Sequence, residues 1–294
     1  MTLRRRLVRV PASSANLGPG YDVLAAALSL HLELEVAEAA EFAVDAGGDP
    51  VPEDRSNLCV RAFAALHPVE GLRFEIRSEI PVARGLGSSA AAIVAGLMAA
   101  DHLFELGLER EEMYDRAVEL EGHPDNVGAA LYGGFVLCPP GDGGHWARPV
   151  RLDPPQGVEG LVVIPDEEVS TDEARAAMPA QVTIGDAVAN IAAASQLVLG
   201  IERSDLTLIA RGLADRLHQP NRAGIYPRSM ELLSQARDLG AIGATISGAG
   251  PTLLLWCFWQ DTGKVTEALR DRVDGWATVR RTPFTQLGAD VPEL

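Results

Sequence analysis

A glycine-rich turn that leads directly into an alanine-rich stretch constrains the fold more than any other feature of this sequence. Residues 85–87 (Gly-Leu-Gly) precede residues 88–104, which contain no proline and are mostly apolar. Ser88 or Ser89 is placed to cap the first backbone N–H groups of such a stretch. The sequence therefore predicts a buried helix over residues 88–104 that begins immediately after a tight turn.

The same junction is chemically suited to an anion. Glycines let a ligand approach the backbone, and the unpaired N–H groups and positive dipole end of the following helix favour phosphate. The string is not a Walker loop, because no Lys-Ser/Thr pair follows the glycines, and it lacks the spacing of a dinucleotide fingerprint. A glycine turn with a capping serine also begins many helices that bind nothing, so from these residues alone both interpretations stay open.

The charge of the chain limits its partners. It has 41 acidic and 25 basic side chains among 294 residues, a formal net charge of −16. The mean field of such a protein repels nucleic acid backbones and anionic membrane surfaces. No apolar run approaches the roughly 20 residues of a bilayer span. Neither nucleic acid nor a membrane is therefore expected as a partner, and a bound anion needs a local site.

The cysteines indicate the compartment. Cys59, Cys138 and Cys257 are odd in number and lie far apart in apolar surroundings. This pattern predicts buried thiols in a reducing compartment rather than disulfides or a metal cage. The basic first residues are not followed by the apolar region of a signal peptide, because Arg9 and Pro11 interrupt it. We expect a cytoplasmic protein.

Polar and apolar residues alternate at 31–37 and 72–77, which predicts strands, and a shorter strand is expected to end at Pro11. Residues 11–22 are small and polar and lie between two strand-like runs, where a wide turn and a functional site both stay open as interpretations. Residues 111–121 are predicted to be helical. In the second half, helices are predicted at 172–177, 184–199, 205–217, 229–239 and 262–273, and strands at 161–164, 241–246, 252–258 and 277–281.

A turn-rich stretch at residues 153–157 (Asp-Pro-Pro-Gln-Gly) is the predicted domain boundary. It divides the chain into residues 1–156 and 157–294. The first part begins as mixed β-structure with loops, whereas helices and strands alternate in the second. This order predicts an α+β fold in which helices cover one side of an antiparallel sheet.

Four strings connect these hypotheses: residues 11–22 (Pro-Ala-Ser-Ser-Ala-Asn-Leu-Gly-Pro-Gly-Tyr-Asp), 85–91 (Gly-Leu-Gly-Ser-Ser-Ala-Ala), 122–126 (Gly-His-Pro-Asp-Asn) and 247–251 (Ser-Gly-Ala-Gly-Pro). In this order the chain resembles the GHMP kinase superfamily, named for galactokinase, homoserine kinase, mevalonate kinase and phosphomevalonate kinase. The first and third strings resemble its homoserine kinase branch in particular, with Tyr21 where that branch has phenylalanine.

The resemblance implies a two-domain α+β GHMP kinase fold. Its N-terminal, ATP-binding domain would be similar to the second domain of ribosomal protein S5, its C-terminal domain would be ferredoxin-like, and the active site would lie in the cleft between them. It also implies that ATP, with Mg²⁺, phosphorylates the side-chain hydroxyl of L-homoserine to O-phospho-L-homoserine on the way to threonine. A homodimer is a further expectation from the resemblance.

The resemblance assigns roles to single residues as well. Ser89 and Glu121 match the family's metal-binding serine and glutamate, and Mg²⁺ suits such a pair because it takes few protein oxygens beside phosphate oxygens and water. Asp125 and Asn126 complete the expected catalytic set, and Glu119, on another face of the same helix, is the competing carboxylate. The residues expected to bind ATP are Pro81, Val82, Ala83, Arg84, Gly85, Leu86, Gly87, Ser88, Ser89, Ala90 and Ala91.

For the amino acid substrate, Arg175 and Arg222 match two family arginines that bind its carboxylate. Guanidinium groups suit bidentate carboxylate binding, although in the competing interpretation either arginine belongs to a surface ion pair. Asn16 and Asp22 would take the end that bears the ammonium or the hydroxyl. The full expected set is Asn16, Asp22, His123, Thr171, Arg175 and Arg222.

The base is the least determined part of the expected mechanism. Asp125 aligns with an aspartate that removes the hydroxyl proton in some branches of the superfamily. A loose phosphoryl-transfer transition state needs little prior deprotonation, so we expect no obligatory side-chain base. Two other functions stay open: a GHMP kinase for another small alcohol such as mevalonate or a sugar, and a non-catalytic metabolite-binding protein on the same scaffold.

Overall fold

Two β-sheets organise the residues that the computed structural model describes, residues 4–141 and 146–292. The strands are β1 (Arg5–Ala15), β2 (Leu24–Glu38), β3 (Ala43–Asp45), β4 (Leu72–Ser78), β5 (Phe135–Leu137), β6 (Val150–Leu152), β7 (Val158–Pro165), β8 (Gly243–Ile246), β9 (Leu253–Phe258) and β10 (Ala277–Arg281). The helices are α1 (Leu58–Ala64), α2 (Ser88–Phe104), α3 (Arg110–Glu121), α4 (Pro124–Tyr132), α5 (Thr171–Ala176), α6 (Ile184–Arg203), α7 (Leu206–Gly212), α8 (Pro227–Gln235) and α9 (Thr262–Val273), with a 3₁₀ turn at Pro220–Arg222.

Strand β2 is the centre of the first sheet. The sheet runs in the order β3-β4-β2-β5-β6, and β1 also pairs with β2; β2 is antiparallel to β1, β4 and β5. The alternation predicted over residues 31–37 is confirmed, since the apolar side chains there are buried and the polar ones are partly exposed. The strand begins earlier, at Leu24, because residues 24–26 pair with β5 and so extend the ladder.

The interpretation of residues 11–22 as a wide turn is wrong at its beginning. Strand β1 continues through Pro11 to Ala15, and a bulge between Pro11 and Ala12 shifts its register against β2. Proline lacks the N–H that a ladder needs, and a bulge accommodates this defect. Pairing with β2 therefore overrides the local turn preference, and the turn starts only at Asn16.

Helix α2 has the predicted bounds and packs against β1 and β2 of the first sheet. It also packs against α1, a helix that the sequence pattern does not reveal. That helix has only seven residues, too few for a clear periodicity, and the side chain of Asn57 caps it by accepting a hydrogen bond from the N–H of Cys59.

The second sheet has the order β10-β7-β9-β8 and is antiparallel throughout, as predicted. The helix predicted over residues 205–217 is shorter, because α7 ends at Gly212. Beyond it, the carboxylate of Asp215 accepts hydrogen bonds from the backbone N–H groups of residues 217–219. These bonds turn the chain away from the helical path.

Helix α6 is long and apolar enough to cross a membrane by length and composition alone, and it is the one such helix in the described part of the chain. Its most apolar window has a mean hydropathy of 1.5 and is 28% buried. The expectation concerns an unbroken apolar run, and Asp186, Asn190, Ser195 and Gln196 interrupt this helix. The mean hydropathy is high because alanine, valine, leucine and isoleucine lie between these polar residues. In the fold, α6 packs against α7, and Asn190 donates a hydrogen bond to Asp215 at 2.9 Å.

The end of the chain returns to the first sheet. Phe284 forms a bridge with Leu28, and its ring lies 4.7 Å from that of Phe135 and 5.0 Å from that of Trp256. These aromatic contacts join the two sheets. The boundary predicted after residue 156 falls between β6 and β7, and it stays a prediction.

The crossing of α1 and α2 leads to a stability prediction. A Cβ on Gly96 would lie 2.2 Å from the carbonyl oxygen of Cys59 and 2.9 Å from the Cβ of Ala62. Gly96→Ala is therefore expected to lower the free energy of unfolding by about 1–3 kcal/mol, an overpacking cost, in urea titrations. The control is Gly263→Ala in the first turn of α9, where nothing lies within 4 Å of the added atom. That variant is expected to be neutral or slightly stabilising, and equal unfolding midpoints for the two variants would contradict the prediction.

Candidate active site

A cavity of about 490 Å³ opens between the two halves of the chain, and all four strings found in the sequence contribute to its walls. The predicted site residues that line it are Asn16, Asp22, Val82, Ala83, Gly85, Gly87, Ser88, Ser89, Glu121, His123, Asp125, Asn126, Thr171, Arg175 and Arg222. Of the others, Leu86, Ala90 and Ala91 are buried in the core, while Pro81 and Arg84 line a second cavity of about 320 Å³.

Two glycines let the glycine-rich loop (residues 81–91) lie against its neighbours. Both have φ in the left-handed region, +76° at Gly85 and +70° at Gly87. A Cβ on Gly85 would lie 2.3 Å from the carbonyl oxygen of Ser247, and one on Gly87 would lie 2.0 Å from the Oγ of Ser13. No larger residue fits at either position, so the loop presents its backbone to the cavity.

The N-cap of α2 is Gly87, so the predicted cap by Ser88 or Ser89 is wrong. Within the described residues, no side chain caps this helix. The hydroxyl of Ser89 donates instead to Glu121. The first N–H groups of α2 therefore stay available and, together with the helix dipole, form a site for an anion.

Four side chains form a continuous chain of polar contacts along one wall of the cavity. Ser89 donates a 2.5 Å hydrogen bond to Oε1 of Glu121, which lies 3.5 Å from Nε2 of His123. The other ring nitrogen, Nδ1, lies 3.1 Å from Oδ1 of Asp125, which also accepts the N–H of Asn126 at 2.7 Å. The end of α3, the short connection after it and the first turn of α4 thus supply all the polar groups after Ser89.

Burial and charge shift two pKa values in this wall. Burial raises the pKa of Glu121, although the Ser89 hydroxyl and His123 favour its ionised form. Burial alone would lower the pKa of His123, but the hydrogen bond and charge of Asp125, together with the charge of Glu121, raise it above its ordinary value. The imidazole is therefore protonated up to a higher pH than a free histidine. Glu119, the competing carboxylate, is exposed on α3 and does not line the cavity.

On the opposite side, Arg175 of α5 binds Asp22. Its guanidinium donates two hydrogen bonds to the carboxylate, at 2.9 and 3.0 Å, and a third to the hydroxyl of Tyr21 at 3.2 Å. The Tyr21 ring centre lies 5.9 Å from this guanidinium carbon and 5.4 Å from that of Arg222. One aromatic ring therefore contacts two cations, whose attraction to its face offsets part of their mutual repulsion.

Arg222 is only 2% exposed. Its guanidinium donates to the carbonyl oxygens of Ala174 at 3.0 Å and Gly248 at 3.1 Å, and it lies 3.2 Å from Nδ1 of His218. In the described part of the chain no carboxylate lies within ion-pairing distance of this guanidinium. The competing interpretation, in which the arginine belongs to a surface ion pair, is therefore wrong for Arg222. A buried cation without a counter-ion is costly, and an anionic ligand would supply the missing charge.

Asn16 and Asp22 have backbone conformations that are uncommon for residues other than glycine, with φ of 69° and 56°. Asn16 donates a 2.8 Å hydrogen bond to the carbonyl oxygen of Gly248, and its Oδ1 accepts the N–H of Asp22 at 2.9 Å. Strained residues concentrate at functional sites because the surrounding structure must hold them in place. The polar end of the 11–22 string is thus fixed at the cavity.

The cavity extends into an apolar lobe that no sequence motif marks. Its walls include Val51, Pro52, Leu58, Ile76 and Ile80, with the polar side chains of Asn57 and Ser78 among them. These residues come from a loop, α1, β4 and the turn that follows β4, so only the fold brings them together. Two serines within the recognised strings are also missing from the predicted site: Ser13, whose hydroxyl donates to Asn126 at 2.8 Å, and Ser247, whose hydroxyl donates to the carbonyl oxygen of Gly85 at 2.6 Å.

The donor groups of the cavity allow a test of the expected metal. Among residues 4–141 and 146–292, no group of three or more His, Cys, Asp or Glu side chains is placed to hold a metal ion by itself. Ser89 and Glu121 nevertheless bring a hydroxyl and a carboxylate oxygen together at the head of α2. Such hard oxygen donors fit Mg²⁺ that arrives with a nucleotide, whose phosphates supply further ligands.

Comparison with known proteins identifies the family. The family model for the GHMP kinases N terminal domain matches residues 57–134, and that for the GHMP kinases C terminal matches residues 197–274. The homoserine kinases of Moorella thermoacetica and a Synechococcus species are 39% and 43% identical to this chain. The matches cover 85% and 84% of this chain, and 87% and 84% of those proteins. The chain belongs to the homoserine kinase family of the GHMP kinases.

Solved structures agree with this family. The homoserine kinase of Cytophaga hutchinsonii has a TM-score of 0.88 to this chain at 29% identity, covering 99% of this chain and 98% of that one. The mevalonate kinase of L. major in complex with R-mevalonate has a TM-score of 0.69 at 18% identity, with 97% and 96% covered, and shows the shared fold alone. The two-domain GHMP kinase fold implied by the resemblance is confirmed, and the chain is an ATP-dependent kinase with a hydroxyl acceptor.

The raised pKa of Glu121 has a consequence for the stability of this kinase. Because the pKa of Glu121 is higher in the folded than in the unfolded state, its protonated form stabilises the folded state. This contribution is fully present below the unfolded-state pKa and is lost as the pH rises through the folded-state pKa. Glu121→Gln removes the buried charge, so its Tm is expected to exceed that of the wild type at pH 8 and to approach it near pH 4. Thermal unfolding followed by circular dichroism checks this, with the exposed Glu119→Gln on the same helix as control. A Tm difference independent of pH would contradict the prediction.

Proposed function

We propose that this chain transfers the γ-phosphoryl group of ATP to the side-chain hydroxyl of L-homoserine, which yields O-phospho-L-homoserine on the way to threonine. One observation carries the proposal: the anion site at the head of α2 and two guanidinium groups, those of Arg175 and Arg222, face the same cavity. A small zwitterion with a short hydroxyl side chain is the kind of acceptor that fits between these groups. Its carboxylate would bind the arginines while its hydroxyl faces the anion site.

ATP is assigned to the wall formed by the glycine-rich loop. Its triphosphate would lie against Gly85, Gly87 and the free N–H groups of Ser88 and Ser89, where the positive end of α2 favours negative charge. The purine would occupy the apolar lobe, because binding pockets for flat aromatic ligands combine apolar walls with a few polar groups. Asn57 and Ser78 supply such groups there.

Homoserine is assigned to the pair formed by Asp22 and Arg175. Its α-carboxylate would take the place of Asp22 on Arg175 and supply the counter-ion that Arg222 lacks. Its ammonium group would bind the released Asp22 carboxylate and Oδ1 of Asn16. Opening the existing ion pair costs little, because its side chains are 31% and 40% exposed and their attraction is screened by water.

The transfer itself depends on position and charge. The hydroxyl oxygen forms a bond to the γ-phosphorus while the bond from that phosphorus to the β,γ-bridging oxygen breaks, and ADP leaves. The N–H groups of α2 hold the phosphates in line, and the arginines hold the carboxylate end of the acceptor. When bound beside Ser89 and Glu121, Mg²⁺ supplies charge neutralisation at the phosphate oxygens. The hydroxyl proton passes to a phosphoryl oxygen, so no side-chain base is obligatory.

Two carboxylate variants test whether the transfer needs a side-chain base. An obligatory general base contributes roughly 10²–10⁴-fold to a rate. Asp125 bonds to its neighbours His123 and Asn126, so Asp125→Asn is expected to lower kcat by less than about 10²-fold. Glu121→Gln, at the assigned metal position, is expected to lower it further. Steady-state kinetics with the reverse order would overturn this prediction.

The assignment of the substrate carboxylate is tested at Arg175. Arg175→Lys keeps the charge but loses the planar fork. A charge-assisted hydrogen bond contributes about 1.5–3 kcal/mol, so the KM for homoserine is expected to rise about 10- to 100-fold. The KM for ATP should stay near that of the wild type. Arg211→Lys, exposed on α7, is the matched control, and an unchanged homoserine KM for Arg175→Lys would remove this residue from the site.

The acceptor is tested directly with an ADP-release assay over homoserine, mevalonate, galactose and shikimate. Turnover of homoserine alone supports the proposal. If another alcohol is phosphorylated and homoserine is not, that alcohol is the acceptor, and the kinase mechanism is unchanged. ATP binding without transfer to any acceptor would favour the non-catalytic metabolite-binding alternative.

We also infer a homodimer, with α6 at its centre. The exposed face of this helix carries Ile184, Val188, Ile191 and Leu199, which are 85%, 59%, 66% and 45% exposed. Their spacings of four, three and eight residues place them on one side of the helix. Glu202 continues the same face at the C-terminal end. In an antiparallel two-fold pairing, each Glu202 lies beside the N-terminal end of the facing helix, whose partial positive charge favours a carboxylate.

Sedimentation equilibrium tests this interface. Ile191→Asp places a charge in the middle of the apolar face and is expected to give monomers at concentrations where the wild type is a dimer. Leu106→Asp, an exposed apolar residue elsewhere on the surface, is the control and should leave the dimer unchanged. A monomeric wild type at tens of micromolar would contradict the homodimer.

A cytoplasmic location is part of the same proposal. The predicted buried thiols are confirmed: Cys59, Cys138 and Cys257 are all free and buried, and burial raises the pKa of each to about 12. Protonated, inaccessible thiols without disulfide partners suit a reducing compartment.

A further inference from the structure

Arg84 belongs to the glycine-rich loop but does not line the main cavity. It lies on the other side of the loop, where its side chain lines the second cavity. The sequence-based assignment places it among the ATP-binding residues, yet its guanidinium is directed at the segment that follows β7.

The contacts of Arg84 occupy nearly all of its donors. Nε donates to the carbonyl oxygen of Pro165 at 2.9 Å, and Nη2 donates to that of Asp166 at 2.6 Å. Nη1 lies 3.1 Å from Oε1 of Glu168 and donates to the carbonyl oxygen of Val82 at 3.2 Å. The guanidinium is 15% exposed and Glu168 is 65% exposed, so the bonds to Pro165 and Val82 are partly buried while the ion pair faces water. A phosphate could use this guanidinium only if these contacts broke.

The segment that Arg84 holds leads directly to the amino-acid side of the cavity. The N–H of Val169 donates to the carbonyl oxygen of Ala83 at 3.4 Å, and Ser170 then caps α5. Arg175 lies on that helix, and Ala174 of the same helix accepts a hydrogen bond from Arg222. A shift of residues 165–168 relative to the glycine-rich loop would therefore displace both guanidinium groups relative to the phosphates.

We propose that Arg84 is a positioning residue that fixes the helix carrying Arg175 relative to the glycine-rich loop, and so couples the binding of the acceptor amino acid to that of the nucleotide. This inference rests on the proposed function of the cavity. Its physical basis is that misplacement of a reacting group by about 1 Å is enough to lower a rate by about 10²-fold. The fork of Arg84 suits the role because it binds three carbonyl oxygens and a carboxylate at once, which a lysine ammonium does not reproduce in that geometry.

The test compares Arg84→Lys and Arg84→Gln with Arg280→Gln. Arg280 lines the same second cavity but pairs with Glu79, so it is a matched control. Both Arg84 variants are expected to raise the KM for homoserine about tenfold and to lower kcat, because the coupling free energies between sites correspond to factors of about 5–150. Their Kd for ATP, measured by calorimetry with magnesium, should stay within about twofold of the wild type, because the loop's N–H groups are unchanged.

The alternatives give different results. If Arg84 attracts ATP by its charge, Arg84→Gln weakens ATP binding and Arg84→Lys restores it, which overturns the proposal. Unchanged kinetics in both variants also overturns it. Where Arg84→Gln does not fold, Glu168→Gln removes only the ion pair and is expected to raise the homoserine KM by a smaller factor; no change there counts against the proposal.

A second measurement separates this inference from the proposed function. Hydrogen exchange of the α5 amides, measured without substrates, is expected to be faster in Arg84→Gln than in Arg280→Gln. If the wild type does not phosphorylate homoserine, the proposed function fails, while faster exchange still supports the mechanical link. Unchanged exchange in α5 would reject the link whatever the acceptor is.

Discussion

The backbone of the glycine-rich loop lies so close to residues 247–250 that the rest of the site depends on this contact. Gly85 has no room for a side chain there, and the hydroxyl of Ser247 donates to its carbonyl oxygen. Because α2 begins three residues later, this contact helps to direct the first N–H groups of the helix. The carbonyl oxygen of Gly248 also accepts hydrogen bonds from Asn16 and Arg222. The head of α2 and the wall that holds Asn16 and Arg222 therefore share one support.

Charge is distributed unevenly between this cavity and the rest of the molecule. The chain has a net charge of −16, yet the cavity contains two guanidinium groups, an imidazole with a raised pKa and the positive end of a buried helix. Arg222 is buried without a carboxylate partner in the described residues, which is costly in the absence of an anion. The structure thus reconciles an acidic protein with anionic ligands: the attraction is confined to a few sheltered groups whose hydrogen bonds already hold them in position.

Local pattern predicts much of the secondary structure, and its failures have physical causes. The bounds of α2, α9 and β10 agree with the prediction, and the glycine turn before α2 marks where that helix begins. Strand β1 continues past its proline because the ladder with β2 tolerates a bulge, and α7 is cut short by backbone hydrogen bonds to a side chain. Helices α1 and α4 are too short to be seen in a pattern. Only in β1 does a tertiary contact outweigh the local preference; the end of α7 is set by a local side chain, and the short helices give too weak a pattern.

The sequence by itself determined which chemical groups are available, since glycine strings, carboxylates and arginines are local features that retain their character in any fold. Only the tertiary structure decided which of these groups meet. It paired Asp22 with Arg175, directed Arg84 away from the main cavity and assembled the apolar lobe from separate elements. The reason is that such contacts join residues far apart in the chain, and their geometry depends on how the two sheets and their helices pack rather than on neighbouring residues.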